Sequence, residues 1–255
     1  MRARLRFIER VAHVLLIVLY GLSLGLWVSL ARKLRQPLSL RRRQHLTQHF
    51  MRQLRHALSL DIQVSGHPPT HAALWLSNHV SWLDIVVLAQ LAPTAFVAKA
   101  EVAHWPVAGW LARQAGTLFI QRGAGRTQGL NQQLAQQLSQ GLHATLFPEG
   151  TSSNGQHVLK FYARLLAGAC DSQAQIQPVA LRYYRNGTLD PMAPFIADDR
   201  LDSHLLRLLK HGPVQVQIQL LPCIDSHGLS RTQLSQQAHH AIAQALNPMP
   251  TRHAA

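Results

Sequence analysis

Residues 72–84 read AALWLSNHVSWLD. The first six are apolar or small, short enough for one buried strand, and the Ser81 to Asp84 spacing marks a helix start. Similar apolar runs recur at 60–64, 94–98, 116–121, 143–147, 175–182 and 213–221, with helical spacing over most of the intervals between them. That rhythm predicts an α/β fold with a largely parallel sheet flanked by helices. A strand that ends at Ser77 delivers His79 to the carboxyl edge of the sheet, where open α/β folds bind ligands.

The whole chain has 255 residues, of which 47% are hydrophobic and 14% charged. Such a chain can bury a core of one large domain, and disordered, collagen-like and coiled-coil classes drop out. Its two cysteines, Cys170 and Cys223, make no disulfide framework and lack zinc-site spacing, which fits a reducing compartment. The net charge of +14 is unevenly placed, with +11 of it within residues 1–60. A charge so concentrated seeks a polyanion, either a membrane surface or nucleic acid.

The neighbouring residues decide for the membrane. VAHVLLIVLYGLSLGLWVSL, residues 11–30, is about the length that crosses a ~30 Å hydrocarbon layer, and arginines flank it on both sides. A nucleic-acid arm has no use for it. Three readings stand: a spanning or deeply embedded helix, which we adopt, a buried core helix, and a secretory signal peptide cleaved after Ser29 and Ala31. Against the last, Arg32 and Lys33 would follow the cut directly. The heavier basic flank on the C-terminal side places the rest of the chain in the cytoplasm, at the inner membrane. Residues 40–58 then read as an amphipathic helix with Leu46, Phe50 and Leu54 on one face. The Gln-rich stretch 126–142 is a helix of the same kind, with Leu130, Leu134, Leu138 and Leu142 every fourth residue. Asn186 to Pro194 reads as a surface loop.

The first chemistry lies in His79 and Asp84, where the carboxylate can fix the imidazole tautomer and stabilise the imidazolium. With no GxSxG elbow and no activated cysteine, such a pair suits a general base acting on a substrate hydroxyl. Backbone amides after His79 are candidates for an oxyanion site. A purely structural alternative exists, because Ser81 and Asp84 also spell a capping box. Two further strand ends tip the balance. GTLFIQRG carries Arg122, and HATLFPEGTSSNG carries Glu149 and a turn at Gly150. His45 and His49 stand four apart on the predicted helix, but without a carboxylate or cysteine nearby no metal site is expected. Of the five tryptophans, Trp27, Trp75, Trp105 and Trp110 read as core or bilayer-interface residues, and Trp82 stands apart inside the His79 motif.

Taken together these residues resemble the 1-acylglycerol-3-phosphate acyltransferase family of lysophospholipid acyltransferases. The HxxxxD motif is His79 to Asp84, the second motif GTLFIQR ends at Arg122, the third is Phe147, Pro148, Glu149, Gly150 and Thr151, and the fourth looks like IQPVAL with Pro178. The resemblance spans roughly residues 60–220 and divides the chain into an anchor, 1–58, and an acyltransferase domain, 59–255. It implies transfer of a fatty acyl group from acyl-CoA or acyl-carrier protein to the hydroxyl of a lysolipid such as 1-acylglycerol-3-phosphate, with no metal or bound cofactor. His79 would be the base and Asp84 its orienting partner. Arg122 would hold an anionic headgroup, and Glu149 with Gly150 and Thr151 the glycerol-like part. Asn78, Ser81, Trp82, Phe147, Pro148, Ser152 and Pro178 would complete the substrate site.

The chain departs from the family where the third motif commonly continues with Arg and here has Ser152 and Ser153. Further on, Phe161 is followed by Tyr162, with Lys160 and Arg164 nearby, in place of a Phe-Lys pair. Ser152 resembles the branch that acylates lyso-ornithine lipids, so a non-phosphate acceptor is the alternative. A non-catalytic membrane-binding protein and a hydrolase in which His79 activates water are the competing classes.

Overall fold

The computed structural model describes residues 2–120 and 128–247. Two helices, α1 (Arg2–Lys33) and α2 (Leu40–Ala57), precede β1 (Leu60–Gly66) and β2 (Ala73–Ser77). Next come α3 (Leu83–Ala89), β3 (Thr94–Lys99), α4 (Ala108–Ala115), β4 (Leu118–Ile120), α5 (Gln128–Ser139) and β5 (His143–Leu146). The chain continues through α6 (Ala167–Ser172), β6 (Gln175–Arg185), β7 (Thr188–Leu189), α7 (Leu201–His211), β8 (Val214–Leu220) and α8 (Arg231–Leu246).

The sheet runs β1-β8-β6-β2-β5-β3-β4, with β7 attached to β6. From β6 through β4 every neighbour pair is parallel, β8 lies antiparallel to β6, and β1 is parallel to β8. The expected largely parallel sheet is therefore present. Composition explains the order. All five residues of β2 are buried, as a strand covered on both faces requires, whereas β8 alternates buried Val214, Val216, Ile218 and Leu220 with more exposed glutamines. Side chains of β2 alternate between two cores. Ala73 and Trp75 join one that includes Val14 of α1 and Ala57 of α2, while Leu74 and Leu76 join the other, filled by α5 and α8.

The helix α1 is long and apolar enough to cross a membrane, with a mean hydropathy of 2.3 over its most apolar window. It does not stand free. Val14 is buried in the first core, Arg10 Nη1 donates to the carbonyl of Leu209 at 3.0 Å, and Gly21 and Gly25 lie where a Cβ would strike the rings of Phe50 and Trp110. Leu15, Leu16, Leu19, Leu26 and Leu30 on its other side remain exposed. The anchor and the domain thus share one core across the 58/59 boundary. Part of the basic cluster is also committed to the fold. Arg43 donates to the carbonyls of Gln114 at 2.6 Å and Arg113 at 2.9 Å, capping the end of α4, and its pKa is lowered by burial and then by Arg32.

The stretch expected as a surface loop, 186–194, is only partly one. Asn186 and Gly187 both have positive φ, 52° and 80°, as a primed two-residue turn requires, and they close the hairpin from β6 to β7. Beyond it Asp190 is buried against Arg185, 2.9 Å away, and Ala193 is fully buried. An Asn-Gly turn between apolar strands was the signal for that hairpin.

Candidate active site

His79 follows the carboxyl end of β2, and Asp84 sits in the first turn of α3. His79 Nδ1 lies 2.7 Å from Asp84 Oδ2, and the same oxygen accepts the amides of Val80 at 2.7 Å and Ser81 at 3.0 Å. Asp84 Oδ1 accepts the hydroxyl of Tyr183 at 2.6 Å. The carboxylate is fully buried, while 21% of the His79 side chain is exposed. Four donors on one carboxylate stabilise a charge that burial alone would oppose. A bond from Nδ1–H to that carboxylate leaves the lone pair on Nε2, the arrangement of a general base.

The capping-box alternative is half realised. Asp84 reaches back to the amide of Ser81, but the buried Ser81 hydroxyl has no partner among the described residues. Of the amides expected to serve an oxyanion, those of Val80 and Ser81 are spent on Asp84.

The segment after β5 grips His79 from the other side. Phe147 stacks on the imidazole, with centroids 4.1 Å apart and planes 16° from parallel. The carboxyl oxygen Oε1 of Glu149 accepts the His79 amide at 3.2 Å, and the amide of Ser153 donates to the His79 carbonyl at 2.8 Å. Both backbone groups of His79 are therefore held by the third motif. Glu149 is only 3% exposed, and its Oε2 has no partner among the described residues. Burial raises its pKa from 4.5 to about 8, so it is mostly neutral at pH 7. Gly150 turns the chain at φ 67°, with its amide on the Phe147 carbonyl at 3.1 Å. Pro148 is buried and accepts the Tyr162 amide at 2.9 Å, while Thr151 is exposed.

Other expected substrate residues serve as supports. Asn78 is buried, and its amide group pairs with both backbone groups of Leu181, at 3.0 and 2.8 Å, extending the contact of β2 with β6. Pro178 is buried in β6 beside Leu76. Trp82 Nε1 donates to His204 Nδ1 at 3.0 Å, and the other ring nitrogen of His204 lies 3.1 Å from the carbonyl of Pro194. The Ser152 hydroxyl donates to the carbonyl of Phe195, whose amide donates to Val80 O at 2.9 Å. Phe195 so bridges the first and third motifs. Arg122 lies outside the described residues. Among cations named as substitutes, Arg164 is exposed and stacks over Tyr162, 5.2 Å from its ring centre, and Tyr162 itself lies against Gly150.

Phe96, whose ring stacks on Phe147 with centroids 6.3 Å apart, lies in the wall of an apolar cavity of about 350 Å³. Val18 and Gly25 of α1, Phe50 and Leu54 of α2, and Trp82 and Phe96 contribute to its walls. No motif announced this space, because α1 and α2 build much of it from residues far from the site in sequence.

Residues 45–182, which contain His79, Asp84, Phe147 and Glu149, match the family model described as Acyltransferase. The chain belongs to the acyltransferase family. This acyltransferase is 48% identical to the lyso-ornithine lipid O-acyltransferase of Pseudomonas aeruginosa over 99% of the chain and 100% of that protein. It is 34% identical to the 1-acyl-sn-glycerol-3-phosphate acyltransferase of Neisseria gonorrhoeae over 67% of the chain and 68% of the relative. Its fold is that of the 1-acyl-sn-glycerophosphate acyltransferase crystal structure from Thermotoga maritima, with a TM-score of 0.65, 21% identity, and 93% and 96% of the two chains covered.

Tyr183, Phe195 and His204 were not singled out from sequence, and Ser153 was noted only as a departure from the family pattern. All four stand 74 to 125 residues beyond His79, and only the fold brings them to it.

Proposed function

We propose that this acyltransferase moves a fatty acyl group from a thioester, carried by coenzyme A or acyl-carrier protein, to the free hydroxyl of a lyso-ornithine lipid. The observation that carries the chemistry is the 2.7 Å contact between a partly exposed imidazole and a buried carboxylate held by three other donors. His79 Nε2 takes the proton of the acceptor hydroxyl as its oxygen attacks the thioester carbonyl. Collapse of the tetrahedral adduct breaks the C–S bond, and the imidazolium returns the proton to the departing thiolate. Asp84 stabilises the imidazolium between the two steps. The acyl chain lies in the apolar cavity walled by Phe96.

Two observations support the acceptor. The relative that matches over the whole chain is a lyso-ornithine lipid O-acyltransferase. In addition, position 152 carries a serine whose hydroxyl is tied to Phe195, where the phosphate-type pattern has a cation. A phosphomonoester with nearly two negative charges calls for several cationic donors, whereas an ornithine headgroup presents one carboxylate and one ammonium. Phosphate-bearing 1-acylglycerol-3-phosphate is the second reading, and Arg164 stacked over Tyr162 beside Gly150 is what favours it.

The enzyme works at the cytoplasmic face of the inner membrane, with the exposed leucines of α1 embedded and its other face on the domain. Removal of α1 by a signal peptidase would take Val14 out of the core, which speaks against cleavage. The deciding experiment incubates the purified enzyme with radiolabelled acyl-CoA or acyl-carrier protein and a panel of lysolipids. Labelled ornithine lipid in excess over labelled phosphatidate supports the proposal. Preference for lysophosphatidate overturns the acceptor, and free fatty acid with no acylated product overturns transfer itself.

A further inference from the structure

The structure assigns Tyr183 as a positioning residue that holds the Asp84 carboxylate in register with His79. This rests on the reading of His79 as the base. Tyr183 lies in β6, opposite Val216 of β8, ninety-nine residues beyond Asp84. Its ring is buried at 3% exposure, and its hydroxyl ends 2.6 Å from Asp84 Oδ1.

The two oxygens of Asp84 are unequally supplied. Oδ2 faces His79 Nδ1 and the amides of Val80 and Ser81, all from the same turn of chain. Oδ1 has the Tyr183 hydroxyl as its one hydrogen-bond donor among the described residues. Local sequence can thus place one end of the carboxylate, but the plane of the group is set from across the sheet. Without the phenol, Oδ1 is a buried charged acceptor with no donor, and rotation about Cβ–Cγ to seek one carries Oδ2 away from the imidazole. The imidazole then loses the bond that keeps the proton on Nδ1 and the lone pair on Nε2.

The phenol is suited to this task and to little else. It is fully enclosed, so it cannot touch an acceptor lipid, and burial with the adjacent Asp84 charge raises its pKa well above the ordinary value, which keeps it a donor at any working pH. Its backbone is pinned as well, since the Tyr183 carbonyl accepts the Asp190 amide at 2.9 Å, and Asp190 is itself clamped by Arg185. A phenylalanine would fill the same space, so packing alone does not require the hydroxyl.

The test uses the full chain in detergent. Tyr183→Phe should lower kcat about tenfold, leave KM for both substrates within about twofold and fold with a lower melting temperature, because a buried charged acceptor loses its donor. Nitrogen-15 NMR of the His79 ring should show a single Nδ1–H tautomer in wild type and a mixture in the variant. In an Asp84→Asn background the same change should cost less than about twofold, because the residue acts through Asp84. Wild-type kcat and tautomer in Tyr183→Phe overturn the proposal, as does an undiminished tenfold loss in the Asp84→Asn background. Should Tyr183→Phe not fold, Tyr183→Met takes its place; failure of both to fold assigns the residue to stability and also overturns it. His79→Ala is assayed beside them. Retained turnover there defeats the base assignment itself, a failure separate from that of Tyr183.

Discussion

The amide of Ser153 donates to the carbonyl of His79 at 2.8 Å, joining residues 74 positions apart in the chain. With Glu149 on the amide of His79, this makes the backbone of the catalytic candidate part of two motifs at once. The imidazole is placed by the sheet and by the third motif together, so changes in either segment reach the base.

Replacement of the base is the most direct consequence. His79→Ala should lower acyl transfer at least about 10²-fold with the fold retained, since the ring is partly exposed and its removal leaves no buried charge without neighbours. Asp84→Asn should approach that loss and also reduce the melting temperature, because it disturbs four buried hydrogen bonds. Rate assays paired with thermal melts separate the two effects.

Glu149 makes stability depend on pH in a stated direction. Its folded pKa of about 8 lies above the ordinary 4.5, so between these values the folded chain holds a proton that the unfolded chain releases. Stability from this group therefore falls as pH rises from about 4.5 to about 8 and levels off above, by an amount on the order of a few kcal/mol. Glu149→Gln, which keeps a neutral acceptor for the His79 amide, should melt with a flatter pH dependence. Thermal melts of both proteins from pH 5 to 9 check it, and parallel slopes would contradict the assignment.

Ser152 links stability with acceptor choice. Ser152→Ala removes the hydroxyl that donates to Phe195 and should cost about 1 kcal/mol of stability without altering headgroup preference. Ser152→Arg loses the same bond and adds a cation, so it should melt earlier and also move the preference toward lysophosphatidate by about tenfold. Competition assays with the two lysolipids, read beside melting curves, distinguish the outcomes.

A larger side chain in the cavity should discriminate by acyl length. Val18 of α1 lines that space, and Val18→Trp should reduce kcat/KM for long-chain donors about tenfold more than for short ones. Equal losses at all lengths would show that the acyl chain lies elsewhere.

Membrane attachment through α1 should survive carbonate and high-salt washing and yield to detergent. Paired changes Leu15→Glu and Leu19→Glu on the exposed face should release the protein into the wash while Val14 keeps its place in the core. Release of the unaltered protein by salt alone would mean that the arginines, and not the leucines, hold it.

Much of this molecule was decided locally. The apolar run before Ser77, the unbroken stretch 11–30 and the leucines at every fourth residue of α5 dictate a buried strand, a long apolar helix and an amphipathic helix, because each pattern buries a surface at its own period. The His79 to Asp84 spacing likewise places a carboxylate at a helix start five residues after an imidazole at a strand end, close enough for the two to meet. Tertiary structure decided what those groups face. Tyr183 reaches Asp84 only because β6 lies beside β2, and Phe147, Glu149 and Ser153 enclose His79 only because β5 lies on the other side. It also turned Asn78, expected at the substrate, toward Leu181, and it laid α1 along the domain to wall a cavity. Hydrogen bonds across a parallel sheet connect residues whose separation in sequence is set by the crossover helices between strands, and no short-range pattern in the chain encodes those partners.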